Sequence, residues 1–168
     1  MGSIKSSRFF KTGRTASLSV STMSYSREAT CRFNVASWSE NLVTDIDGKG
    51  TRAGDAYYPD RGVTRTEVGY TYTGDIEGTS TLVYLIAYKA DAAPVFGLER
   101  FEGAIGGHEG TCVFQHIGSQ DQGSVSARIE VVPGMGTGGL EGLRGEADLS
   151  IGGHSDDGYE LVLSYDVG

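Results

Sequence analysis

The residues best placed to do chemistry are Glu99 and His116, a carboxylate and an imidazole on two consecutive alternating segments separated by the glycine turn Gly106–Glu109. If that turn centres an antiparallel hairpin, Glu99 stands across from His116 and Phe101 across from Phe114. These four side chains share a face with Gly97, Gly103 and Cys112, whereas the other face of the first segment carries Arg100 and Glu102, so the Glu99 face is expected to point inward. In an apolar interior, desolvation raises the pKa of a carboxyl group and a neighbouring imidazole opposes the rise. The expected result is a group able to hold or release a proton near neutrality, as general acid–base catalysis requires. A Glu–His pair across two strands can equally be a satisfied structural hydrogen bond. Tyr70, Tyr72 and Tyr165 fall on inward faces by alternation and, with Phe101 and Phe114, are the candidate substrate-lining residues. Their phenols could meet a ligand, or fill a core with the hydroxyls at a barrel mouth. Cys112 reads as a small hydrophobe, because no basic neighbour in sequence lowers its pKa.

These side chains need strands to hold them. From Ala29 onward, short runs of β-branched and aromatic residues alternate with turn clusters, the pattern of an all-β barrel or sandwich. Eight strands are expected, at about Ala29–Ser37, Val63–Thr73, Thr79–Lys89, Phe96–Ile105, Gly110–Gly118, Ser124–Val132, Glu146–Ile151 and Gly158–Val167. The connections at Gly74–Gly78, Gly106–Glu109, Ser119–Gly123 and Gly152–Gly158 are short and polar, as in an antiparallel meander. The long stretch from Glu40 to Arg61 is either a lid or a surface loop. Eight strands with one apolar face each, and almost no helix to cover them, must close on themselves, which predicts a closed eight-stranded antiparallel barrel. The run Thr81–Tyr88 is apolar on both faces, and its outer face is expected to meet another subunit or the N-terminal segment, so a homo-oligomer is an expectation.

The chain has 168 residues, 38% hydrophobic and 21% charged, and no apolar run near the roughly 18 residues that cross a bilayer as a helix; no membrane partner is expected. A net charge of −8 argues against a phosphate backbone, so no nucleic-acid partner is expected either. The charge is unevenly spread. Residues 1–27 hold five basic residues, eight serines and no acid, leaving nine basic against 22 acidic residues, a net −13, in the remainder. Residues 1–28 are read as an extension, a disordered tail or a stretch upstream of a true start at Met23, with a targeting segment or a structured arm as the alternatives. Residues 29–168 are read as a single cytoplasmic barrel domain.

Several motifs fail. Pro133–Gly139 contains a formal G-x-G-x-x-G, but two more glycines follow where a dinucleotide site needs a helix. The stretch Asp45–Ala56 echoes a calcium loop but ends in Ala56 where a bidentate glutamate is required. His108, His116 and His154 lack ligand spacing, and Cys31 and Cys112 form no Cys-x-x-Cys. No metal and no cofactor is expected.

The segments Gly74–Thr79, Tyr84–Ala90, Phe96–Arg100, Val113–Gly118 and Gly136–Gly145, spread over residues 29–167, resemble the bacterial domain-of-unknown-function 3224 family. That resemblance implies an eight-stranded barrel of the allene oxide cyclase type. Gly136–Gly145 is also similar to a turn of allene oxide cyclases, dirigent proteins and barrel-type natural-product cyclases. What it implies is a cofactor-free lumen that folds an unsaturated small molecule for ring closure by proximity and a few polar groups. The functional expectation is therefore a barrel that binds a small apolar or amphipathic ligand, foremost as a cofactor-independent isomerase or cyclase using Glu99 and His116. A lipocalin-like carrier and a structural barrel with a filled core are the alternatives.

Overall fold

The computed structural model describes residues 23–168, so the expectations for residues 1–22 lie outside the described residues. Eleven strands run in chain order: β1 (Arg27–Asp45), β2 (Gly50–Ala53), β3 (Ala56–Pro59), β4 (Gly62–Gly74), β5 (Ile76–Tyr88), β6 (Ala93–Ile105), β7 (His108–Asp121), β8 (Ser124–Val131), β9 (Thr137–Gly138), β10 (Arg144–Ile151) and β11 (Tyr159–Asp166). Among the described residues there is no helix, and hence none long and apolar enough to cross a membrane.

The sheet closes. Following the pairings round, β1 lies beside β4, then come β5, β6, β7, β8, β10 and β11, and β11 pairs back with β1. Every pairing is antiparallel, so the eight principal strands form the expected up-and-down barrel, with β2–β3 a separate hairpin and β9 a two-residue annex on β7. The inward set follows from alternation. It includes Thr64, Thr66, Val68, Tyr70 and Tyr72 on β4, Ser80, Leu82 and Ile86 on β5, Glu99 and Phe101 on β6, and Cys112, Phe114 and His116 on β7.

Two regions differ from the sequence expectation. β1 does not stop at Ser37 but continues to Asp45, and it begins at Arg27, two residues into the stretch assigned to the extension. Its register against β4 shifts between Val35 and Ser37. The bulge inserts one residue, so the inward positions change from Ala29, Cys31 and Phe33 to Trp38 and Glu40. Beyond it, the stretch from Glu40 to Arg61 is no loose loop: β2 and β3 make a hairpin tied to the end of β1. The Asp45 carboxylate accepts from Tyr57 Oη (2.5 Å) and the Gly48 amide (2.8 Å), and Arg61 grips Asp47 with two bonds of 2.6 Å.

The turn between β6 and β7 is also tighter than expected. Only Gly106 and Gly107 lie in it, with φ of 56° and 83°, the pair of positive values that a two-residue hairpin turn matched to strand twist requires. Glu99 consequently stands opposite Phe114, Phe101 opposite Cys112, and Gly97 opposite His116. The register expected from the sequence was displaced by two positions. An even displacement preserves which face each side chain occupies, so Glu99 and His116 still point into the barrel together, as diagonal neighbours.

The two ends of the barrel are built differently. At the end holding the β4–β5 and β6–β7 turns, the connection from Val132 to Leu143 folds across the opening and inserts Leu140 and Leu143, both buried in the main core. The Gly136–Gly145 motif therefore builds the closed end. At the opposite end β1 and the β2–β3 hairpin rise beside the opening. On the outside, Leu85, Phe96 and Ile117 lie side by side across β5, β6 and β7, with Val83 and Leu98 in the next row; Leu85, Phe96, Leu98 and Ile117 are exposed.

Candidate functional site

Glu99 is 1% exposed, an almost complete burial that a carboxylate tolerates only with partners. It has three. Tyr72 Oη and Ser80 Oγ each donate to Oε1 at 2.5 Å, and His116 Nε2 lies 2.6 Å from Oε2. β4, β5, β6 and β7 are consecutive neighbours in the barrel, and each contributes one member by an inward residue. Burial pushes the Glu99 carboxyl up, but the hydrogen bond and charge of His116, followed by the bonds from Ser80 and Tyr72, outweigh it, and the group sits below the ordinary carboxylate range. This corrects the expectation of a group exchanging protons near neutrality: Glu99 is a fixed anion. An anionic carboxylate only accepts, so His116 must carry a proton on Nε2, which leaves Nδ1 as the nitrogen not engaged by Glu99.

The same anion affects its neighbours. Burial, with Glu99 as the second cause, pushes Tyr72 and Tyr70 well above the ordinary phenol range, so both remain neutral donors. Cys31 and Cys112 are pushed up to about 12 by burial and then by Glu99, which agrees with an inert thiol rather than a nucleophile.

Above this network the lumen is hollow. A cavity of about 220 Å³ occupies the half of the barrel away from Leu140, and His116 is part of its wall. Leu82 and Ile86 of β5, Val125 and Ala127 of β8, and Leu149 and Ile151 of β10 supply the aliphatic surface. Trp38, Tyr58, Tyr70, Tyr84 and Tyr88 supply the aromatic surface, and Glu40 and Gln120 the remaining polar groups. Glu40 Oε1 accepts from Thr64 Oγ1 (2.6 Å) and Tyr88 Oη (2.8 Å). An apolar cavity of about 150 Å³ holds a benzene molecule, so this one admits a ring with a short substituent. Beneath His116 only a void of about 10 Å³ remains, lined by Tyr72, Glu99, Phe114 and aliphatic side chains.

Comparison with known proteins places this geometry in a family. The model of a protein family described as "Protein of unknown function (DUF3224)" matches residues 29–163. The chain belongs to the DUF3224 family. A crystal structure of a DUF3224-family protein of unknown function from Shewanella oneidensis MR-1 superposes with a TM-score of 0.64 at 22% identity, covering 84% of this chain and 98% of that one. At that identity the likeness is one of fold. No curated protein matches the chain.

Within this DUF3224 barrel the residues singled out from the sequence separate into three groups. Glu99 and His116 are brought together, with His116 alone reaching the cavity. Tyr70 lines the cavity, whereas Tyr72 lies below it as a donor to Glu99. Phe101 and Phe114 are core, the first with no exposed surface, and Tyr165 lies at the closed end with its hydroxyl against Gly106. The cavity residues that sequence reasoning missed are Trp38 and Glu40, re-aimed by the bulge in β1, and Tyr58, carried by the β2–β3 hairpin. Tyr84 and Tyr88 carried a usable signal, since Ser80, Leu82, Tyr84, Ile86 and Tyr88 share one face by alternation.

Proposed function

We propose that this DUF3224 barrel binds a small amphipathic molecule in the open half of its lumen and that His116 moves a proton on it, as a cofactor-independent isomerase or cyclase. The observation that carries the reading is that one residue, His116, belongs both to the cavity wall and to the buried Glu99 network. Glu99 holds Nε2 protonated and fixes the ring, which directs the basicity of the imidazole to Nδ1. On an unsaturated ligand, Nδ1 would take a proton from carbon, the C–H electron pair would delocalise along the π system, and the imidazolium would return the proton at another carbon. The step is redox-neutral and conserves atoms. Glu99 would stay ionised and stabilise the imidazolium as a positioning residue.

The likeness of Gly136–Gly145 to cyclase turns agrees with this reading only at the level of fold, because that motif builds the closed end and not the cavity. A non-catalytic carrier is the second reading. It draws on the complete hydrogen bonding of Glu99, which serves as well to stiffen a barrel around a stored ligand.

The test begins with native mass spectrometry of protein from its own host and extraction of the bound molecule. That molecule is then incubated with the protein in deuterated water. The isomerase reading expects deuterium at carbon, and a loss of at least about 10²-fold in that exchange for His116→Ala with binding retained. Binding without exchange establishes the carrier instead. No bound molecule, together with no saturable quenching of Trp38 by ring-sized probes, contradicts both.

A further inference from the structure

We propose that the molecule this cavity is built to hold is a small organic cation, a protonated amine on a short apolar or aromatic body, with its nitrogen held at Glu40. The proposal rests on the reading of the lumen as a ligand site and names the ligand's chemical class; it does not depend on the proton transfer at His116.

Among the described residues, the wall of the cavity contains a carboxylate and no lysine or arginine. An anionic ligand at Glu40 would meet a carboxylate with no lysine or arginine of the wall beside it, and would pay desolvation and repulsion together. Among the described residues, both hydrogen bonds that Glu40 accepts from side chains land on Oε1, from Thr64 and Tyr88, which leaves Oε2 for a donor arriving from the cavity. A second acceptor is unpaired. The side-chain oxygen of Gln120, buried and on the same wall, has no hydrogen-bond partner among the described residues. A buried acceptor without a donor is costly unless a ligand supplies one. Two acceptors of the wall, Glu40 Oε2 and the Gln120 oxygen, thus have no side-chain donor among the described residues, and an ammonium group brings donors with no acceptor of its own.

The surroundings of Glu40 suit such a group. Tyr58 and Tyr88 meet edge to face with ring centroids 6.2 Å apart, and Trp38 and Tyr84 line the same cavity. Aromatic faces carry negative quadrupole potential and attract a desolvated cation, which is the physical basis of aromatic cages for ammonium groups. Burial followed by the charge of Glu40 holds the Tyr58 phenol above its ordinary value, so that hydroxyl stays neutral beside the carboxylate. The net charge of −13 over residues 28–168 further favours approach of a cation.

Trp38 is the single tryptophan of the chain and sits in the cavity wall, so its fluorescence reports occupancy directly. The full-length protein at pH 7 is titrated with three probes of matched shape: 2-phenylethylamine, 2-phenylethanol and phenylacetate. The expected order is amine tightest, by at least about tenfold over the alcohol, the ratio that one charge-assisted hydrogen bond supplies, with phenylacetate weakest. Glu40→Gln is expected to cost the amine at least about tenfold more affinity than it costs the alcohol. Should Glu40→Gln fail to fold by circular dichroism, the wild-type order decides, together with weakening of the amine and not the alcohol as salt is raised. Equal affinity for amine and alcohol overturns the cation assignment while leaving a ligand cavity in place, and phenylacetate as the tightest probe overturns it as well. If none of the three quenches Trp38 saturably, the ligand-site reading fails with it.

Discussion

Replacing Glu99 by glutamine keeps the shape of the side chain and removes its charge and one of its two acceptor oxygens. In the native barrel three donors converge on it: Tyr72 and Ser80 on Oε1 and His116 on Oε2. A glutamine oxygen placed toward Tyr72 and Ser80 turns the NH₂ group toward His116 Nε2, where two donors then face each other unless the imidazole changes tautomer. At least one charge-assisted bond is lost in a site that is 1% exposed, which costs about 1.5–3 kcal/mol. For a domain of this size that corresponds to a fall in Tm of roughly 3 °C per kcal/mol. The cost depends on pH with a definite sign. The folded-state carboxyl lies below the ordinary value of 4.5, so the unfolded chain binds the proton first as pH falls. The stabilisation is therefore complete above pH 4.5 and is lost as pH drops through the folded value, whereas the glutamine variant has no such term. Urea unfolding of wild type and Glu99→Gln at a series of pH values measures the gap, which is expected to be present at pH 7 and to shrink as pH falls below 4.5. A glutamine variant as stable as wild type at pH 7, or a gap that fails to shrink as pH falls below 4.5, would refute the assignment of Glu99 as a buried anion stabilised by its three donors.

Leu140→Ala removes a fully buried side chain from the closed end and is expected to cost about 2–5 kcal/mol while leaving the affinity for 2-phenylethanol, measured through Trp38, unchanged. Gly106→Ala places a methyl group 1.9 Å from Tyr165 Oη at φ 56°; it is expected to cost more than about 1 kcal/mol in thermal or urea unfolding, part of which Tyr165→Phe should recover. Cys31 and Cys112, both buried and with pKa pushed up to about 12, are expected to resist a thiol reagent at pH 8 until the barrel is unfolded. Reaction of either thiol at the rate of an exposed cysteine would contradict their burial.

The barrel was legible because its determinants are local and periodic. Alternation on β4, β8, β10 and β11 marks an inward and an outward face residue by residue, and short glycine turns allow only a meander. The Glu99–His116 pair was legible for a subtler reason. The expected hairpin register was displaced by two positions, and period-two geometry kept both side chains on the inner face and within reach of one another. The cavity was less legible. Trp38 and Glu40 enter it only because a bulge near Ala36 reverses the parity of β1, and nothing in the local sequence announces an inserted residue. Tyr58 comes from a hairpin outside the main sheet, where strand periodicity gives no guidance. The division of the lumen into a filled half and a hollow half depends on Leu140 and Leu143 folding across one end, a long-range packing decision that alternation does not encode. For the same reason Phe101, Phe114 and Tyr165, inward by pattern, are core rather than cavity wall.

The most direct test of the central claim, that His116 presents Nδ1 to a ligand cavity while Glu99 holds Nε2, is the ¹⁵N spectrum of the histidine side chains with and without saturating 2-phenylethanol. His116→Gln assigns the resonances against His108 and His154. The predicted result is an Nε2 signal characteristic of a protonated, hydrogen-bonded nitrogen that stays in place, and an Nδ1 signal that moves on saturation in step with Trp38 fluorescence. An Nδ1 signal that does not respond while Trp38 is quenched, or a proton found on Nδ1 in the free protein, would contradict it.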